Sequence, residues 1–302
     1  MAESMKVTFW GVRGSYPMPG LSTARVGGNT TCVQVQAGNH LIILDAGTGS
    51  IGLGQSLMAQ YRQDKKPITA TLLFTHTHHD HTQGFPFFAP TQIQSTTLYV
   101  FGPKTLHQDL EEVLGRAMLP PVFPIRLDEL PCVRVICNLH EAETILFDSE
   151  DAEPHTFERT VQVPDSPQSV KVQVMHSYAH PQGVFIYRID YGGKAMVFAT
   201  DTEGYANGDQ RLIRFARGAD LLIHDAQYTQ DEYASATSPT QGWGHSTWTM
   251  AVDVAKAAGV QKLALFHHEP AHNDDFLQAL EKEAQAKFPP TVVAREGMQI
   301  VL

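Results

Sequence analysis

The sequence predicts an α+β chain folded as a four-layer αββα sandwich. Three observations carry this expectation. Strand-like apolar runs fall into two groups, each group is interleaved with amphipathic helical patterns, and several runs end abruptly in histidine or aspartate. The 302 residues are 42% hydrophobic and 18% charged, enough to bury a large core in one domain over 1–302. An acidic, proline-broken stretch, 141–167, is the expected seam between two related halves.

In the first half, residues 6–10 read as a strand. A glycine-punctuated loop, 11–29, follows, then strands at 31–37 and 41–45 joined by a Gly38-Asn39 turn. The loop is either a connection or one wall of an active site. After Asp45-Ala46-Gly47-Thr48-Gly49, the residues Ile51, Leu57, Met58 and Tyr61 recur at helical spacing. Strands are expected at 70–74 and 98–101. A helix is expected to open at Thr105, with Gln108 at capping-box spacing and Leu106, Leu110, Val113, Leu114 and Ala117 along one face. The prolines of 119–131 exclude a helix interior or a central strand, leaving a stiff loop, or else a lid or a strap to a partner subunit.

In the second half, strands are expected at 170–175, 184–190, 195–200, 221–224 and 263–266. Tyr191-Gly192-Gly193-Lys194 makes a hairpin turn between the second and third of these. A helix over 246–258 stops at Gly259, and a last amphipathic helix carries Phe276, Leu277, Leu280 and Ala284.

One stretch organises the chemistry. In Leu72-Leu73-Phe74-Thr75-His76-Thr77-His78-His79-Asp80-His81 an apolar strand runs into four histidines and a carboxylate. Side chains alternate along a strand, so His76 and His78 point the same way, while Asp80 and His81 follow on the turn. Such a cluster is costly without a positive ion to organise it, and it reads as half of a two-metal site. A polar surface turn is the other reading; the position directly after a strand favours the metal. The second half must supply the remaining ligands. Four places qualify at strand ends or entrances: His180, Asp201, His224 with Asp225, and His267 with His268. Taken singly, each is more often a capped or hydrogen-bonded residue than a ligand, but their repetition favours ligands. Asp45 either caps the following helix or orients a metal-bound histidine.

Composition narrows the partners. Lys and Arg number 22 against 32 acidic residues, for a net charge of −10, and no basic cluster stands out. That speaks against extended nucleic acid, whereas two divalent ions would make a pocket locally positive for a small phosphorylated ligand. Three cysteines, Cys32, Cys132 and Cys137, without a secretory signal read as reduced thiols, with Cys132 and Cys137 buried in a strand. No apolar run approaches membrane-spanning length, so a cytoplasmic location is expected.

Leu44-Asp45-Ala46-Gly47, the His76–His81 cluster, His180, Asp201 and His267, in that order, resemble the metallo-β-lactamase superfamily. Within it, Gly27-Gly28-Asn29-Thr30-Thr31, His180 followed by Arg188, Gly244-His245-Ser246-Thr247 and Ala294-Arg295-Glu296-Gly297-Met298 are similar to the ribonuclease Z branch and its phosphodiesterase relatives. The resemblance runs from about Val7 to the C-terminus and leaves 105–169 unaccounted for. It implies that His76, His78 and His180 hold one metal, that Asp80, His81 and His267 hold another, and that Asp201 bridges them. It also implies that Asp80, Asp201 and His245 form the catalytic group. His245 would contact the phosphate or protonate the leaving oxygen, its alternative role being the N-terminal residue of the helix that follows. Asp45 and Asp225 would accept a proton from the far nitrogen of ligand histidines. The cofactors implied are two divalent ions, zinc first, with manganese, iron and cobalt also compatible. No role is assigned to His79, His224 or His268.

The departures matter as much. Members of that branch that process tRNA insert a long arm between the positions matching His180 and Asp201, where this chain has only residues 181–200. Its loop 17–29 also differs in composition from the family's tRNA-recognition segment. The expectation is therefore a dinuclear phosphodiesterase, a homodimer, cleaving a small phosphodiester such as a cyclic nucleotide by attack of a metal-bridging hydroxide on phosphorus. A lactonase or carboxylic ester hydrolase, a ribonuclease Z-like RNA endonuclease and a non-enzymatic, metal-bearing ligand sensor are the alternatives.

Overall fold

The computed structural model describes residues 4–104, 107–148, 153–164, 166, 168–205 and 208–302. In chain order the strands are β1 (Met5–Gly11), β2 (Cys32–Ala37), β3 (His40–Leu44), β4 (Thr69–Leu73), β5 (Thr97–Pro103), β6 (Val133–Leu139), β7 (Thr144–Phe147) and β8 (Pro154–Phe157). They continue as β9 (Val170–Ser177), β10 (Val184–Tyr191), β11 (Lys194–Ala199), β12 (Leu221–Asp225), β13 (Leu263–Phe266), β14 (Thr291–Val293) and β15 (Gln299–Val301). The α-helices are α1 (Gly49–Asp64), α2 (His79–Thr82), α3 (Leu110–Ala117), α4 (Gln210–Phe215), α5 (Gln230–Tyr233), α6 (Trp248–Ala258) and α7 (Asp274–Lys287).

Two sheets stack face to face, one ordered β15-β1-β2-β3-β4-β5-β6 and the other β14-β13-β12-β11-β10-β9-β7-β8. Period-two alternation decides what each strand buries. Leu44, Leu73 and Phe101 turn into the space between the sheets, where Phe266 meets Phe9 and Phe198 at centroid distances of 6.0 and 5.6 Å. Ile43, Leu72 and Val100 face the other way and pack with Leu53, Leu57, Leu110 and Leu114 of α1 and α3. Ala251, Val252 and Ala255 of α6 and Leu277 and Leu280 of α7 cover the second sheet. The predicted αββα sandwich is the observed one.

Each sheet contains four consecutive parallel strands, β3 to β6 in the first and β11 to β14 in the second. Parallel strands deliver their C-terminal ends to a common rim, where loops are free to carry function. The rims are pinned to each other. The Tyr187 hydroxyl of β10 donates to the Phe74 carbonyl at 2.6 Å, and the Phe185 amide donates to the Thr75 carbonyl at 2.8 Å. The residues leaving β4 thus lie against the strand that follows His180.

Several expectations shift. The helix expected from Thr105 starts at Leu110, where the Asp109 amide donates to Glu112 and the Asp109 carboxylate accepts from Asn138 of β6; Thr105 and Leu106 lie outside the described residues. Asp80 and His81 sit on the short helix α2, not on a turn. The helix expected from 246 begins at Trp248, because the Thr247 hydroxyl accepts from the Met250 amide as its N-cap; Gly259 closes it in the left-handed conformation as expected. The acidic 141–167 stretch contributes β7 and the edge strand β8 at one end of the second sheet. Residues 119–131 are docked, with Leu127 and Leu130 buried and Phe123 edge-on to Phe87 at 5.4 Å, while Leu119 and Val122 stay exposed. All three cysteines are free; Cys32 and Cys132 are buried, but Cys137 only half so, since it lies in the edge strand β6. No helix among the described residues is long and apolar enough to cross a membrane.

The inter-sheet pin makes a prediction. Tyr187→Phe removes one hydroxyl and leaves the buried Phe74 carbonyl without its donor, so urea unfolding should show a loss of about 1–3 kcal/mol.

Candidate metal centre

Three rim residues have left-handed backbones that side chains seldom adopt: Asp45 (φ 59°) after β3, Asp201 (φ 50°) beyond β11, and His267 (φ 59°) after β13. Each reverses the chain as it leaves a parallel strand. Asp45 is fully buried, and a carboxylate there must be satisfied by donors. The Thr75 amide donates to Asp45 Oδ1 at 2.8 Å, the Thr75 hydroxyl to Oδ2 at 2.9 Å, and His81 Nδ1 lies 2.8 Å from Oδ2.

Those acceptors settle which ring nitrogens carry protons. His81 Nδ1 faces a carboxylate, so Nδ1 carries a proton and Nε2 is the nitrogen left for a cation; until one binds, and although burial disfavours the charged ring, Asp201, Asp80 and Asp45 raise the His81 pKa well above its ordinary value. For His180, Nδ1 faces the Gly244 carbonyl at 3.0 Å. His267 Nδ1 faces Gln227 Oε1 at 3.0 Å, the amide orientation being set by Gln227 Nε2 donating to Glu269 at 2.8 Å. In His76, Nδ1 lies 3.1 Å from a Thr75 hydroxyl whose own proton goes to Asp45. Four imidazoles therefore spend an N–H outward and aim Nε2 atoms inward. Burial lowers the pKa of His76 well below its ordinary value and that of His180 to about 4, keeping both neutral.

The inward atoms form two groups. His76, His78 and His180 make one, and Asp80, His81, Asp201 and His267 the other, with ligand atoms within 4.8 Å of one another in each. A third, Asp201, Asp225, His245 and His267, overlaps the second but includes Asp225, whose oxygens are taken by protein donors. His78 Nδ1 and His180 Nε2 are only 3.0 Å apart. The Nε2 atoms of His81 and His267 face Asp80 Oδ2 at 3.4 and 3.2 Å and Asp201 Oδ1 at 3.2 and 3.1 Å. His76 Nε2 and His81 Nε2 are buried without a hydrogen-bond partner among the described residues. Ring nitrogens this close to one another and to carboxylate oxygens call for positive charge between them, and nitrogen and oxygen donors gathered in threes and fours fit divalent cations. Asp201 spans the groups: Oδ1 faces His81 and His267, while Oδ2 lies 3.6 Å from His76 Nε2 and 3.8 Å from His180 Nε2.

The glycine-rich loop is a wall of this site. The Ser15 amide donates to Asp80 Oδ2 at 2.8 Å, and Gly14 lies where a Cβ would be 2.4 Å from the His267 ring. Arg13, fully buried, anchors the loop by donating to the carbonyls of Gly27, Glu269 and His272. Opposite, the His245 ring stacks on His267 at 5.0 Å and meets His180 edge-on at 5.0 Å, with Nδ1 2.7 Å from Asp225 Oδ2. Although burial disfavours the charged ring, Asp225 raises His245 to about 9. Asp225 also accepts from the amides of Thr202, Gln227 and Ser246, so its oxygens are occupied by protein donors.

The structure thus brings together all of the sequence candidates His76, His78, Asp80, His81, His180, Asp201, His245 and His267, with Asp45 and Asp225 behind them. Three others stay apart. His79 is exposed, His224 is buried with Nδ1 on the Asp225 carbonyl, and His268 is buried against the Ala294 carbonyl. Sequence reading missed Thr75, Gln227 and the Gly244 carbonyl. Gln227 had a signal, as the second residue beyond β12 on the same rim.

The chain belongs to the metallo-β-lactamase superfamily: the family described as Beta-lactamase superfamily domain matches residues 40–268. It is similar to the ribonuclease Z of Picrophilus torridus, at 25% identity over 99% of this chain and 96% of that one. Among solved structures it resembles the metallo-β-lactamase fold protein YhfI from Bacillus subtilis, with TM-score 0.65 and 21% identity over 99% of this chain and 100% of that one. The short form of human tRNase Z aligns with TM-score 0.61 and 20% identity over 98% of both chains. The Asp45 network can be tested directly. Asp45→Asn must turn an NH₂ toward one of three donors, and urea unfolding should show a loss of about 2 kcal/mol.

Proposed function

We propose that this metal-dependent hydrolase cleaves a small phosphodiester such as a cyclic nucleotide, with His76, His78 and His180 holding one divalent ion, Asp80, His81 and His267 a second, and Asp201 shared. The observation that carries the reading is the placement of the two Asp201 oxygens, each toward a separate group of inward-facing histidine nitrogens. When bound, the ions, zinc in the first instance, supply an activated water at neutral pH and neutralise charge on the phosphoryl oxygens.

The chain's own groups do the rest. Asp225 orients His245 by accepting a hydrogen bond from its Nδ1–H, leaving Nε2–H to hydrogen-bond a phosphoryl oxygen or to protonate the leaving oxygen. The Ser15 amide holds Asp80 in place, and the wall formed by Arg13, Gly14 and Ser15 limits water access from that side. A small substrate is supported by the net charge of −10, and by residues 181–200 being taken up by β10, β11 and the turn that joins them. The similarity to proteins named ribonuclease Z favours a second reading, RNA cleavage. The homodimer belongs to this proposal too, with exposed Leu119, Val122 and Val133 beside the edge strand β6 lending it apolar surface.

A hydrolysis screen decides. Protein carrying about two metals per chain should hydrolyse bis(p-nitrophenyl) phosphate and a cyclic nucleotide, and leave precursor tRNA and lactones intact. Full metal occupancy with no phosphodiester hydrolysis would overturn the reading. His78→Ala should reduce metal content, read by atomic emission, and lower activity more than about a hundredfold. His245→Ala should lower kcat by about 10²–10⁴ on an alkoxide leaving group. The loss should be smaller on p-nitrophenolate, which departs without a proton.

A further inference from the structure

Beside the metal centre a cleft of about 830 Å³ opens between residues 178–183 and 203–205. His180 forms part of its wall, and the same imidazole turns Nε2 toward Asp201. Cleft and ligand cluster therefore share a side chain. Tyr178 and Tyr205 line the cleft while being 69% and 51% exposed, leaving two aromatic surfaces in water.

Tyr178 is exposed but not loose. Its ring rests on His176 at 4.4 Å, and His176 is held in turn by Phe185 at 5.4 Å. His176 also fills the space beneath Gly183, where a Cβ would lie 2.1 Å from its Nε2. One side of Tyr178 is thus supported from within the protein.

The opposite side of the cleft is rigid as well. Glu203 Oε1 accepts from the Tyr233 hydroxyl at 2.5 Å and the Gly242 amide at 2.8 Å, and Oε2 from the Gly244 amide at 3.0 Å. The one carboxylate lining the cleft is therefore engaged by protein donors. At the lip stands Gln182, in the left-handed conformation (φ 70°) at the third position of a turn closed by the Gly183 amide on the His180 carbonyl. Glycine or asparagine is the usual residue there. The Gln182 side chain is exposed, lines the cleft and forms no hydrogen bond among the described residues.

We infer that this cleft seats the planar base of a nucleotide substrate, with aromatic stacking on Tyr178 and Tyr205 and the Gln182 amide toward the base edge, while the phosphodiester lies beyond His180. The inference rests on the phosphodiesterase reading above and narrows its substrate to one that carries a nucleobase. Stacking is tolerant of base identity because every base offers a π-face. Gln182, with both donor and acceptor, is the group that can discriminate among bases.

The test uses the metal-loaded enzyme and a matched pair of substrates: a nucleoside 3′,5′-cyclic phosphate, and the methyl ribofuranoside 3′,5′-cyclic phosphate that lacks the base. The wild-type enzyme should show a KM about tenfold lower for the nucleotide. Tyr178→Ala should raise that KM about tenfold more than it raises KM for the abasic analogue, and Tyr178→Phe, which keeps the ring, should restore it. Equal KM values in the wild type, or equal shifts of both in Tyr178→Ala, would overturn the inference while leaving the phosphodiesterase reading intact. If neither compound is hydrolysed, that reading fails for cyclic substrates, and the cleft is tested by binding alone. Adenosine 5′-phosphate should then quench intrinsic fluorescence where ribose 5-phosphate does not, with the difference lost in Tyr178→Ala. Identical quenching by the two would sink the cleft assignment.

Discussion

A single buried carboxylate sets the geometry from which the rest of the rim follows. Asp45 accepts from the Thr75 amide, the Thr75 hydroxyl and His81 Nδ1, binding the end of β3, the exit of β4 and helix α2 into one unit. Thr75 passes the constraint on. Its hydroxyl oxygen meets His76 Nδ1, and its carbonyl takes the Phe185 amide from the opposite sheet. Burying a carboxylate is expensive unless donors satisfy it, and here desolvation pushes the Asp45 pKa up even against its three donors. That cost yields two oriented imidazoles and a fixed distance between the sheets. Candidate ligand histidines held by buried outer partners are pre-organised, so binding of a cation would not also have to order them.

The strained backbones belong to the same economy of position. Asp45, Asp201 and His267 each adopt a left-handed conformation directly beyond or near a strand end, and an L-residue there costs about 1 kcal/mol or more. The parallel halves of the two sheets explain why the strain recurs. β3 and β13 both end at the rim, and in each case the first residue beyond the strand, Asp45 or His267, takes the left-handed turn.

Much of this was legible in the sequence, and the limits have physical causes. Residues 76–81 were readable because four of the seven candidate ligands lie within six consecutive residues, immediately after an apolar strand. His180, Asp201 and His267 were readable as polar residues at strand ends, but their convergence depended on the tertiary fold and on a family resemblance. The Gly244 carbonyl that orients His180 has no sequence signature, since any residue offers a carbonyl. The true start of α3 escaped because Asn138, on a strand nearly thirty residues later, supports Asp109 at its N-cap. β8 escaped because an edge strand tolerates the proline that ordinarily marks a loop, and β7 because a four-residue apolar run inside a proline-broken stretch is too short to stand out.

Charge counting connects the acidic composition to the choice of substrate. Asp45, Asp80, Asp201 and Asp225 place four carboxylates within the rim network, all at most 6% exposed. Two divalent ions would bring four positive charges against these four negative ones. With the His245 ring that Asp225 holds protonated, the loaded site would then carry a small positive excess, seated at His245 and at the ions. A chain of net charge −10 adds no long-range attraction for a polyanion, which argues against affinity built on many phosphate contacts. A monoanionic phosphodiester meets a smaller electrostatic barrier, but it gains correspondingly little from charge alone. Its affinity must then come from contacts beyond the phosphate. Beside this metal centre, the braced ring of Tyr178 and the unpaired amide of Gln182 are the surfaces able to supply them.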